Sequence, residues 1–404
     1  MSLQETVSAE RVHIGFFGKR NAGKSSLVNA VTGQELAVVS DVLGTTTDPV
    51  KKAMEILPLG PVVIIDTPGL DDLGELGEKR VKKAKQILAQ TDLAVLVVDG
   101  TAGLAPEDEE IIRLFEERKL PYLVAMNKAD LGNAGKPEAD DPHALAVSAL
   151  TGAGVYELKE RLGAMAKGLE NTRQLLGDLL TPGDLVVLVV PIDESAPKGR
   201  LILPQQQTIR DVLDAEGSAI VVKETGLAAA LAGLKAPPRL VVTDSQALGV
   251  VSKVTPEEVS LTTFSILMAR YKGFLETAVR GVAAAKTLRD GDTVLMAEGC
   301  THHRQCNDIG TVKIPRGLRK YCGRDLRFET CSGREFPEDL SGYAMVIHCG
   351  ACMNTERDVQ YRMRCAVDQN VPFTNYGITL AQLTGTLERT LRVFPEIHRV
   401  LVGG

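Results

Sequence analysis

Residues Gly18 to Ser25 read G-K-R-N-A-G-K-S, a glycine-framed turn closed by a lysine–serine pair. It stands between an apolar run, His13 to Phe17, and a helical stretch, Ser25 to Thr32. In that setting the turn requires a strand to hand its end directly to a helix N-terminus. The glycines let the backbone curl, so that N–H groups and the helix end face an anion. Lys24 adds positive charge, and Ser25 adds a hydroxyl suited to magnesium.

Further apolar strands are expected at Val62 to Asp66, Leu93 to Asp99, Tyr122 to Asn127 and Ala144 to Ser148. Helical stretches are expected around Gly77 to Gln90, Pro106 to Arg118 and Val155 to Gly168. Alternation of strand and helix implies a mainly parallel sheet covered on both faces. Thr181-Pro182-Gly183-Asp184 punctuates the chain. A second α/β rhythm follows, with strands at Leu185 to Pro191, Ala219 to Val222 and Leu240 to Thr243 and a helix at Thr208 to Glu216. A helix over Thr263 to Lys286 opens a third unit, whose strands Asp292 to Ala297 and Tyr343 to Ile347 lead to Cys300 and His348. At 404 residues the chain exceeds one ordinary core. The expected architecture is α/β, a Ras-like P-loop domain over 1–172 followed by two smaller α/β domains over 173–260 and 261–404.

Three more elements follow the turn in an order that fits a guanine nucleotide. Asp66-Thr67-Pro68-Gly69 ends a strand, so Asp66 can hold the magnesium shell through water while the Gly69 N–H reads a γ-phosphate. Asn127-Lys128-Ala129-Asp130 ends another, and the Asp130 carboxylate can accept guanine N1–H and N2–H, a donor pair adenine lacks. Ser148-Ala149-Leu150 can supply a backbone N–H to guanine O6. Between the first two, Gly44-Thr45-Thr46-Thr47-Asp48-Pro49 reads as a switch, with Thr46 completing magnesium coordination. The expected nucleotide site therefore comprises Asn21, Ala22, Gly23, Lys24, Ser25, Ser26, Asp66, Gly69, Asn127, Lys128, Asp130, Ser148, Ala149 and Leu150. GTP, GDP and Mg2+ are its ligands, with Lys24, Thr46 and Gly69 at the reacting phosphate.

These residues resemble the translation-factor branch of small GTPases, in particular the potassium-activated tRNA-modification (TrmE-like) GTPases, which share the form G-x-x-N-x-G-K-S-S. The resemblance implies that Asn21 helps bind K+ beside the phosphates. Leu70 follows Gly69 where Ras-type enzymes carry a water-positioning glutamine, so slow hydrolysis is expected. Glu75 and Glu78 are candidates for orienting the water.

The net charge of −6 gives no reason to expect nucleic acid as the main partner. The polar start, with Glu5 and Glu10, is unlike a secretory signal, and the longest apolar runs are strand-length rather than membrane-spanning. A cytoplasmic protein without a membrane partner is expected.

All seven cysteines lie at or after position 300. In a reducing compartment, clustered cysteines favour metal or redox chemistry over structural disulfides. Cys300-Thr301-His302 and His348-Cys349-Gly350-Ala351-Cys352 form C-x-H … H-C-x-x-C, each group at an expected strand end. Spacing alone leaves zinc and an iron–sulfur cluster open.

The whole chain resembles the HydF family of iron–iron hydrogenase maturation GTPases, which joins a GTPase domain, a middle dimerisation domain and a C-terminal domain bearing this same cysteine–histidine pattern. The resemblance implies a 4Fe-4S cluster on Cys300, Cys349 and Cys352 with a fourth position exchangeable or weakly held, and His302 and His348 as ligands, supporting donors or structural residues; outside the shared motif, Asp308 and Cys306 stand within sequence reach. It also implies a homodimeric scaffold that receives a two-iron precursor bearing carbonyl and cyanide, made with radical-SAM partner enzymes, and delivers it to apo iron–iron hydrogenase. Two rival readings remain. One is an RNA-modifying or ribosome-assembly GTPase with structural zinc. The other is a cluster-bearing redox or sensing protein regulated by GTP.

Overall fold

The computed structural model describes residues 11–19, 21–34, 50–67, 87–131, 141–168, 173–192, 201–299, 309–333 and 336–403. Thr46, Gly69, Glu75, Glu78, Cys300, His302, Cys306 and Asp308 lie outside these residues, as do 77–86 of the helix expected over 77–90. The chain divides into two compact units, Met1–Asn171 and Thr172–Gly404.

The first unit is built on strands β1 Val12–Gly18, β2 Val50–Ile56, β3 Gly60–Asp66, β4 Leu93–Asp99, β5 Tyr122–Asn127 and β6 Ala144–Ala146. They form one sheet in the order β2-β3-β1-β4-β5-β6. Only the edge strand β2 is antiparallel to its neighbour among these pairings. The strands are apolar on both sides because both faces are covered. Ile14, Phe16, Val62, Ile64, Val95 and Val97 enter one core with Leu27, Leu158 and Leu162. Their alternates Phe17, Val63, Ile65, Leu96 and Val98 enter another with Phe115. This period of two accounts for the continuous hydrophobic runs in the sequence. The helix Pro106–Glu117 carries proline in its first turn, and Asp108 Oδ2 accepts from Ala105 N at 3.1 Å.

The second unit contains two four-stranded sheets, each with wholly parallel pairings. One has the order β10-β9-β7-β8, from β7 Leu185–Val189, β8 Ser218–Val222, β9 Leu240–Thr243 and β10 Ser260–Thr263. The boundary expected between 260 and 261 falls inside β10, after its first residue. The other has the order β12-β11-β13-β14, from β11 Thr293–Glu298, β12 Arg327–Ser332, β13 Met345–His348 and β14 Phe373–Asn375. One core joins them: Val186 to Val189 and Leu240 to Val242 pack in the same cluster as Leu295, Val346 and Phe373. The alternate residues Val294, Met296, Met345 and Ile347 fill a separate core on the far face of the second sheet.

The helix expected over Thr263 to Lys286 is broken. It runs Phe264–Tyr271, stops, and resumes as Leu275–Val282 and a 3-10 turn, Ala283–Lys286. Gly273 causes the break, because its φ of +72° lies in the left-handed region and ends the first helix. Thr263 starts that helix, its Oγ1 accepting from Ile266 N at 3.2 Å. Among the described residues no helix is long and apolar enough to cross a membrane.

Candidate nucleotide and metal sites

In the first sheet β1 is flanked by β3 on one side and β4 on the other, the place where chain order reverses. Ligands of open α/β sheets gather outside the carboxyl ends at such a point, and the expected residues collect there. The chain leaves β1 at Gly18 and enters the helix Lys24–Thr32 at once, with Gly23 as its cap. Gly23 has φ +85°, and a Cβ there would lie 2.2 Å from Asn127 Nδ2, so this close crossing admits glycine. Lys24 is nearly buried, and its ammonium pairs with the Asp66 carboxylate at the end of β3. The phosphate-type cation and the magnesium-type carboxylate thus share one location. Thr67 Oγ1 donates to Phe16 O at 2.6 Å, sewing the end of β3 to β1.

Asn127 links the turn to the base-reading loops. Its Nδ2 donates to Ala22 O at 2.9 Å, and its Oδ1 accepts from Ala149 N at 3.0 Å. Ser148 Oγ donates to Asp130 Oδ1 at 2.5 Å, fixing the Asp130 carboxylate. Ser25 is half-buried, Ser26 and Asn21 are exposed, and Leu150 presents an exposed side chain. Lys128 sits at φ +65° and pairs with Asp99 Oδ2 at 2.5 Å. Burial opposes the charge of Asp99, but hydrogen bonds from Lys128 and Thr101 hold its carboxyl below the ordinary range.

In the second unit β11 and β13 are neighbours, with Ala297 opposite His348. Cys349 N donates to Ala297 O at 2.7 Å, continuing the ladder beyond the strand. Gly299 N then donates to Cys349 Sγ at 3.1 Å, and Ala351 N to the same sulfur at 3.4 Å. The residue just before Cys300 therefore touches the Cys349 sulfur. A Cβ on Gly299 would lie 1.6 Å from Asn354 Oδ1, so Gly299 passes Asn354 where no side chain fits. Among the described residues no group of three His, Cys, Asp or Glu stands ready around one ion. Burial raises the Cys349 thiol pKa and raises that of Cys352 to about 11, so a metal at these sulfurs must displace protons.

His348 is fully buried, with both ring nitrogens engaged. Nη1 of Arg362, always a donor, meets Nε2 at 3.2 Å. Nε2 therefore accepts, and Nδ1 donates to Cys349 O at 2.9 Å. Burial, reinforced by the Arg362 charge, lowers the pKa of the ring to about 3 and keeps it neutral. His348 thus supports the Cys349 backbone from the far side of the strand.

Sequence reasoning missed the groups beneath this loop. Arg362, on the helix Glu356–Asp368, bonds Asp358 Oδ1 at 3.1 Å and Gly333 O at 2.6 Å. Asn354 Nδ2 donates to the other Asp358 oxygen. Lys272, in the break between helices, donates from Nζ to Ala351 O and Asn354 O, each at 2.5 Å. Burial draws the Lys272 pKa down to about 8, against the pull of the Cys352 and Cys349 charges. A readable signal was present: Asp358 and Arg362 stand four apart, on one face of the helix.

Two adjoining segments match models of a single family. Residues 175–273 match the Hydrogen maturase F dimerization domain, and residues 276–393 match the Hydrogen maturase F tetramerization domain. The chain belongs to the hydrogen maturase F family. Residues 13–128 match the model described as 50S ribosome-binding GTPase, so this family member carries a P-loop GTPase domain. The tRNA modification GTPase MnmE of Chromobacterium violaceum is 38% identical over 162 residues, 39% of this chain and 36% of MnmE. GTPase Der of Kosmotoga olearia is 31% identical over 178 residues, 40% of each. The chain thus spans well under half the length of these curated relatives. Among solved structures, Era of Aquifex aeolicus bound to GDP.AlF4- aligns with 52% of this chain and 93% of its own at 22% identity and TM-score 0.33. A probable GTP-binding protein engB aligns with 39% of this chain and 100% of its own at 26% identity and TM-score 0.30.

Proposed function

We propose that the protein is a GTP-hydrolysing scaffold of iron–iron hydrogenase maturation, carrying a 4Fe-4S cluster on Cys300, Cys349 and Cys352. Its cargo is the two-iron precursor bearing carbonyl and cyanide, received with radical-SAM partner enzymes and passed to apo iron–iron hydrogenase. Family membership supports the setting. The observation that carries the cluster reading is the 3.1 Å contact between Gly299 N and Cys349 Sγ, which brings the residue before Cys300 to the second cysteine group.

The donor chemistry fits such a group. Cys349 Sγ accepts two backbone N–H groups, an arrangement that stabilises a thiolate, and the buried cation Lys272 lies under the loop. When bound, such a cluster would be held by Cys300, Cys349 and Cys352 and would supply iron able to take up an added ligand or an electron. Around it, Gly299 and Ala351 orient one sulfur, His348 fixes the Cys349 carbonyl, and Asn354 closes over the Gly299 backbone.

In the GTPase domain Lys24 neutralises β/γ-phosphate charge, Ser25 and Asp66 serve magnesium with Thr46, and Asn21 serves K+. Asp130 and Ala149 read guanine. GTP then acts as the switch for partner contacts in a cytoplasmic setting, and the domains matching dimerization and tetramerization models support an oligomeric scaffold.

Anaerobic iron, sulfide and zinc analysis with electron paramagnetic resonance tests the cluster. Brown protein with near-equal iron and sulfide is expected, and both should fall sharply in Cys349→Ala. Colourless protein holding zinc overturns the cluster reading and favours the RNA-linked GTPase. GTP hydrolysis should be faster in K+ than in Na+, and Asp130→Asn should abolish the preference for guanine.

A further inference from the structure

We infer that Lys272 is a positioning residue for the metal centre: from the break between two helices it pins the Cys349–Cys352 loop and sets a buried positive charge beneath its sulfurs. The inference rests on the iron–sulfur reading above.

Lys272 reaches the loop from the segment matching the dimerization model, while the loop belongs to the segment matching the tetramerization model. Its ammonium is held by two carbonyls that bracket Cys352, Ala351 O before it and Asn354 O after it. Its backbone is held as well: Gln360 Nε2 donates to Lys272 O at 2.6 Å, and Lys272 N donates to Met268 O at 3.0 Å. The residue is 4% exposed, so the charge has little access to water.

A cation this deep needs a countercharge. Asp358 and Glu356 attract this ammonium, but each is shared with another cation. Asp358 bonds Arg362 and Asn354, and Glu356 pairs with Arg173 at 2.5 Å. Two buried cations, Lys272 and Arg362, thus stand over one buried carboxylate, Asp358, and the sulfurs of Cys349 and Cys352 complete the balance once a metal has displaced their protons. Negative charge added at the sulfurs is favoured by this arrangement, and so is the reduced form of a cluster bound there.

The test uses the full chain loaded anaerobically, with wild type, Lys272→Met and Lys272→Gln compared. Iron and sulfide are measured, and the cluster is titrated with dithionite and followed by electron paramagnetic resonance. Lys272→Met is expected to keep its iron and sulfide while its reduction equilibrium shifts at least tenfold toward the oxidised form, 59 mV for one electron. Lys272→Gln, which retains a donor but no charge, should shift likewise, and it carries the test if the Met variant aggregates. A loaded variant with the wild-type equilibrium overturns the inference. A Gln variant that restores the equilibrium overturns the charge role and leaves a pin. Wild type without iron and sulfide overturns the cluster reading itself.

Discussion

Arg362 donates to Nε2 of His348 at 3.2 Å from within the core, where its own residue is 2% exposed. The same guanidinium neutralises Asp358. Replacing it by methionine strands a buried carboxylate and deprives His348 of its donor. Arg362→Met should therefore cost about 3–5 kcal/mol in urea unfolding. The double variant Arg362→Met, Asp358→Leu should recover part of that loss, because both charges leave together.

Gly281 lies in a helix, where alanine is intrinsically the better residue. A Cβ there would nevertheless lie 2.1 Å from Phe373 O, a backbone atom of β14. Gly281→Ala should destabilise by about 1–3 kcal/mol, opposite in sign to its helix propensity. Urea titration of the two proteins checks the sign directly.

Asn127 spans the phosphate turn and the base loop through hydrogen bonds to Ala22 and Ala149. Each contributes roughly 0.5–1.5 kcal/mol, and nucleotide binding draws on both. Asn127→Ala should weaken GTP and GDP binding by about tenfold while leaving circular dichroism unchanged. Calorimetric titration reads the affinity, and an unaltered value would remove Asn127 from the site.

Asp178 hydrogen-bonds Arg270, and that contact holds its carboxyl below the ordinary range despite partial burial. A depressed folded pKa means stability that is complete above the unfolded value of about 3.9 and lost as pH falls through the folded one. Asp178→Asn should be less stable than wild type near neutrality, within about 1 kcal/mol for so exposed a pair. The gap should narrow in unfolding measured near pH 3.

The first sheet and its motifs were legible because most of its strands are continuous apolar runs ending in a motif residue, as with Asp66 and Asn127. β2 was not, since Val50–Ile56 mixes two lysines and a glutamate along an edge strand. The approach of Gly299 to Cys349 follows from both standing at strand ends, but nothing in the spacing revealed that β11 and β13 are adjacent. Lys272 was hidden for a different reason. A lysine between helices ordinarily reads as solvated surface, and its burial depends on carbonyls at 351 and 354, roughly eighty positions downstream.

The core shared by the two parallel sheets of the second unit has a practical consequence. Severing the chain near Gly273 would leave Val186 to Val189 and Leu240 to Val242 without Leu295, Val346 and Phe373, exposing an oily wall on each fragment. These segments should melt as one cooperative block, and fragments expressed apart should aggregate unless supplied together.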